Sequence, residues 1–116
     1  IDKHRDGPWA FIVPASVNTI YGRWWSPAND APGDNRDPAS PLAFTGDYWD
    51  GFQNRITMHA YANPDSGYNG EGYGLIRFDK QAGEVTFECW PRTVDVSDPN
   101  ATQFPGWPIS FPVRTR

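Results

Sequence analysis

The sequence predicts an all-β fold, antiparallel and sandwich-like, with long proline- and glycine-rich loops. Three observations predict it. Twelve prolines and eleven glycines in 116 residues interrupt the chain so often that no helical period survives beyond about two turns. Several short segments instead alternate, or run continuously apolar, in the manner of strands. Aromatic residues make up 16% of the chain, so large rings can build a core where aliphatic side chains are few.

The elements follow in chain order. Trp9 to Ala15 (WAFIVPA) is a nearly continuous apolar run, the pattern of a strand buried on both faces. Ser26 to Leu42 (SPANDAPGDNRDPASPL) carries four prolines and no aromatic residue, and reads as a surface loop. Asn54 to Ala62 (NRITMHAYA) alternates, with Ile56, Met58, Ala60 and Ala62 on one face and Arg55, Thr57, His59 and Tyr61 on the other. Gly74 to Phe78 and Glu84 to Trp90 flank the turn-forming DKQAG, which predicts an antiparallel hairpin over 74–90. Pro99 to Pro112 sets Phe104, Trp107 and Phe111 among four prolines, the composition of an extended strap lying over a sheet edge or face. The length suits a single β-rich domain over 1–116.

Charge and composition exclude some functions. Ten basic residues against fourteen acidic ones give a net charge of −4 and no basic stripe for nucleic acid. No apolar run approaches the roughly 18 residues of a membrane span. The one cysteine, Cys89, allows no internal disulfide and sits in an alternating strand, so a buried structural thiol is expected. A reactive thiol needs a base nearby, and neither His4 nor His59 is close in sequence.

Few residues carry recognisable chemistry. Asp30, Asp34 and Asp37 crowd one loop and are calcium candidates, although their spacing is not that of an EF-hand and Asp is an ordinary turn residue. Asp47 and Asp50 flank Tyr48-Trp49; two acids capping turns around a buried aromatic pair is the favoured reading over a catalytic pair. Asn100-Ala101-Thr102 matches a glycosylation acceptor on an exposed turn. Arg23, Trp24, Trp25, Trp49, Trp90 and Trp107 could form a sugar-stacking platform, the expectation for a carbohydrate-binding module. Strand geometry sends Trp24 and Trp25 to opposite faces, so at most one of them joins a flat row.

The segments RDGPWAFIVPASVNTIYGRWW, PLAFTGDYWDGFQNRITMHAYANP, GYGLIRFDKQAGEVTFECWPR and DPNATQFPGWPI together resemble the C-terminal portion of the PhoD-like phosphatases. These are secreted bacterial metallophosphoesterases similar to alkaline phosphatase D. The most specific strings are FECWPR and QFPGWPI, and the resemblance runs from Ile1 to about Pro112. It implies a secreted or periplasmic phosphoesterase whose two metal ions are held by Asp, Asn and His ligands upstream of Ile1. None of those ligand motifs stands in this chain, so the resemblance assigns it no catalytic residue, and in isolation it should be inactive. It further implies that WAFIVPA is a core strand and that the hairpin and strap form an accessory β layer; Arg23 lies near enough to the core strand in the chain to face a phosphate, and could equally stack on Trp24 or Trp90. The partner would be the remainder of a phosphatase polypeptide, or a second copy covering exposed edges. A self-associating extracellular subunit is the third reading.

Overall fold

A computed structural model describes residues 28, 31–62 and 72–113. The expected strand over 9–15 lies outside them, as do His4, Arg23, Trp24, Trp25 and Asp30. The regular elements among the described residues are five strands in two antiparallel sheets, the all-β class that the sequence predicts. Neither sheet closes into a barrel. The chain divides into two compact units, with the described residues up to Tyr61 in one and those from Ala62 onward in the other.

In the first unit, β1 (Gly46–Trp49) pairs with β2 (Arg55–Met58), setting Asp47 opposite Thr57, Tyr48 opposite Ile56 and Trp49 opposite Arg55. The connecting turn is organised by Asp50. Its carboxylate accepts the backbone N–H groups of Phe52 and Asn54, both at 2.8 Å, and the Asn54 side-chain amide at 3.1 Å. Those bonds to Asn54 and Phe52 hold the Asp50 carboxyl below its ordinary value. Gln53 closes the turn at φ 64°, a left-handed conformation that glycine adopts without the Cβ penalty. Gln53→Gly should therefore raise stability by about 0.5–1 kcal/mol, read as an upward shift of the thermal midpoint.

β2 is shorter than the 54–62 expectation. Its last pair joins Met58 to Gly46, where a φ of 132° turns the chain into β1. Beyond that point no described strand lies opposite His59 to Ala62. The alternation holds, but the buried side chain on β2 is Thr57, whose hydroxyl donates to Asp47 Oδ1 at 2.7 Å, while Ile56 is exposed. Among the described residues of this unit, Leu42, Thr45 and Tyr48 are buried together with Thr57. The Tyr48 hydroxyl lies 2.8 Å from the carbonyls of both Gly33 and Phe44, and Thr45 O accepts from Asp37 N at 2.8 Å. These bonds tie the loop before β1 to the hairpin, and the described part of that loop is mostly exposed.

In the second unit, β3 (Gly72–Asp79), β4 (Glu84–Pro91) and β5 (Ile109–Pro112) form a three-stranded sheet in that order. The β3–β4 hairpin is the one expected. Its turn is capped by Asp79, whose Oδ1 accepts from Gln81 N at 2.9 Å and Ala82 N at 2.8 Å. Gly83 supplies the positive φ of 64° that closes it. Register and period assign the faces. Val85, Phe87 and Cys89 share one face with Ile76, Phe78, Ile109 and Phe111, while Thr86, Glu88 and Trp90 share the other with Tyr73, Leu75, Arg77 and Ser110. The first face is apolar: Val85, Phe87 and Cys89 are buried, and the Phe87 and Phe111 rings meet edge to face with centroids 5.9 Å apart.

The aromatic-proline strap differs in part from expectation, because its last four residues are strand β5 itself. Proline is tolerated there: Pro112 ends a strand at the sheet edge, where its missing N–H interrupts little of the ladder. Upstream, Phe104-Pro105-Gly106-Trp107 forms a β-turn closed by Trp107 N donating to Phe104 O at 3.1 Å. Gly106 has φ 86° at the third position of that turn, the arrangement that Pro-Gly favours. The Trp107–Pro108 peptide bond is cis.

Candidate functional site

The end of β4 is where sequence-singled residues meet. Beyond Phe87 the edge of β4 no longer faces β5, and the QFPGW turn takes its place. Phe104 N donates to Cys89 O at 3.0 Å, and the Gln103 side-chain carbonyl accepts from Cys89 N at 2.8 Å. A side-chain amide thus stands in for the carbonyl of a neighbouring strand. Phe104 is 5% exposed and is among the most buried residues of this unit. The two strings FECWPR and QFPGWPI, far apart in sequence, are joined by this pair of bonds.

Cys89 is buried, and loss of solvent pushes its thiol up to about 11. It stays protonated at neutral pH and serves as packing, as the alternating strand suggests.

On the opposite face, Glu88 is buried at 7% exposure. Its carboxylate is held by the Arg77 guanidinium through Nε and through Nη2 at 3.3 Å, and it accepts Trp90 Nε1–H at 2.8 Å. The hydrogen bond from Arg77 holds the Glu88 carboxyl below its ordinary range, with burial opposing and Trp90 assisting, and the same pairing raises Arg77. Because the folded-state value is depressed, the stabilisation is present above the ordinary carboxylate value and is lost as pH falls through the folded value. Glu88→Gln should cost about 1 kcal/mol at pH 7, discounted because Arg77 is largely exposed, and should flatten the loss of stability below pH 4.5. Urea midpoints at neutral and acid pH measure both effects.

The aromatic candidates are divided. Trp49 is 64% exposed at the end of β1, in the first unit; Trp90 and Trp107 are half-buried in the second. Tyr48 and Trp49 are not a buried pair, since they lie on a strand that points Tyr48 inward and Trp49 outward. Asp50 caps its turn as expected, but Asp47 is a strand residue bonded across to Thr57. Asp34 accepts the backbone N–H of Phe44 at 2.8 Å and of Arg36 at 3.2 Å, and Asp37 accepts that of Ala39 at 3.0 Å. Asp37 is thus engaged in a local turn and Asp34 both in a turn and across the loop to Phe44, and among the described residues no three His, Cys, Asp or Glu side chains gather to hold a metal ion. His59 is half-buried just past β2. Asn100 is exposed, with its backbone N–H and side-chain amide directed to Asp98 Oδ1 at 2.8 and 3.3 Å. No described helix is long and apolar enough to cross a membrane.

Tyr73, Arg77 and Glu88 were not singled out from sequence. The available signal was the alternation of EVTFECW, which puts Glu88 and Trp90 on one face. What it lacked was the register that sets Tyr73 directly opposite Trp90. No family model, curated protein or solved structure matches the chain.

Proposed function

We propose that this chain is a C-terminal β-rich segment of a PhoD-like metallophosphoesterase, secreted or periplasmic, that depends on upstream residues for its metals and its chemistry. The observation that supports this reading is the bonding of Cys89 to Gln103 and Phe104. The two strings carrying the resemblance are hydrogen-bonded to each other and pack as one structural unit, as the parts of a shared motif would. No described group here would hold the paired metals that activate water and clamp a phosphoryl group, and no catalytic step is assigned to these residues.

The test is an activity comparison. Native protein captured from its source with antibodies to this chain should hydrolyse bis-p-nitrophenyl phosphate and lose that activity to a chelator. The 116-residue chain alone should not turn it over. Captured native protein without metal-dependent hydrolysis would sink the reading.

Self-association is a second reading with its own observation. β3 ends its sheet, and Ile76 and Phe78 on its apolar face are 48% and 74% exposed. A sedimentation coefficient that stays constant with concentration would remove it.

A further inference from the structure

Of the residues first grouped as a sugar platform, the described ones are Trp49 in the first unit and Trp90 and Trp107 in the second, and Trp90 belongs to a smaller cluster on β3 and β4. Tyr73 and Trp90 are directly opposite across the two strands, on the face away from the apolar core, and both are half-buried. Opposed residues of this kind bring their Cβ atoms to about 5 Å, close enough for two rings to make one surface. The Trp90 ring is held in orientation, because its Nε1–H is committed to Glu88 at 2.8 Å. Leu75 follows on the same face at 38% exposure, and then Arg77, whose side chain is 64% exposed although its Nε and Nη2 bind Glu88. Its remaining N–H groups are left to solvent. From Tyr73 to Arg77 the row spans about 13 Å along the strand.

We propose that this row binds a neutral oligosaccharide, with a sugar ring stacked by its C–H face on Tyr73 and Trp90 and hydroxyls bonded to the outward N–H groups of Arg77. Charge selects the ligand class. Arg77 and Glu88 cancel, and the next pair along this face is Asp79 opposite Glu84, so the charges that the paired strands carry on this face sum to negative. An acidic glycan is therefore repelled. A nucleic acid is repelled for the same reason. A neutral sugar needs only what the row supplies: fixed rings, and planar polar groups already oriented by each other. This inference is independent of the phosphoesterase reading, since it uses neither metals nor upstream residues.

Affinity electrophoresis tests it, with native gels cast with hydroxyethylcellulose, arabinoxylan or galactomannan, and polygalacturonate for comparison. The intact chain should be retarded in at least one neutral gel. Tyr73→Ala should weaken retardation about tenfold and Arg77→Lys about threefold. Arg77→Lys keeps a cation against Glu88, so it reports on the guanidinium without leaving the buried carboxylate unpaired. Phe78→Ala, on the opposite face, should leave retardation unchanged. The proposal is overturned by no retardation in any neutral gel, by retardation in polygalacturonate alone, or by full retention in both Tyr73→Ala and Arg77→Lys.

Discussion

Phe104→Ala should destabilise the second unit by about 3–5 kcal/mol, the range for removing a buried phenylalanine and leaving a cavity. The side chain is 5% exposed, and its own backbone N–H is bonded to Cys89 O at 3.0 Å, so the residue cannot shift to fill the space without breaking that bond. The turn that follows is set by Pro105 and Gly106, which further limits relaxation. Phe104→Leu retains most of the volume and should cost only about 1–1.5 kcal/mol. Phe78→Ala is the control within the same unit: that ring is 74% exposed, and its loss should stay within about 0.5 kcal/mol. Urea unfolding followed by tryptophan emission ranks the three variants. Equal costs for Phe104→Ala and Phe78→Ala would mean that the strap does not anchor β4.

The second large effect belongs to the first unit. A Cβ placed on Gly46 would lie 1.8 Å from the Asn35 carbonyl oxygen, 2.9 Å from its carbon and 3.1 Å from Asp37 N. All three are backbone atoms, held by the Arg36–Gly46 bridge and by Asp37 N donating to Thr45 O at 2.8 Å. The φ of 132° adds a conformation that side-chain-bearing residues rarely adopt. Gly46→Ala should therefore cost about 3 kcal/mol or more, since strain and backbone displacement act together. Gly51, in the turn of the same hairpin, has nothing within 4 Å of its would-be Cβ. Gly51→Ala should change stability by about 0.5 kcal/mol at most. Amide exchange across Asp47 to Thr57 distinguishes a local loss of this hairpin from global unfolding.

These two sites mark where the sequence was legible and where it was not. The β3–β4 hairpin could be read directly, because DKQAG places a capping Asp and a left-handed Gly between two alternating segments. β1 was hidden: Asp47 looks like a turn residue until Thr57 is known to sit opposite it, and a four-residue strand offers too little pattern to show alternation. β5 was hidden by its prolines, which suggest a strap and which an edge position in fact tolerates. Gly46 gave no local sign of its role, because the atoms that forbid a side chain come from Asn35 and Asp37. The same holds for the polar face of the second sheet. Trp90 was visible as a candidate, but Glu88 as its anchor and Tyr73 as its neighbour depend on register, which alternation alone does not set.

The measurement that bears most directly on the proposed function is the intact mass of the native protein purified from its source. A mass several times 13.1 kDa, in a protein that hydrolyses phosphodiesters only with its metals in place, is the result predicted here. A native mass near 13.1 kDa would contradict it, and would leave this β layer to act by binding alone.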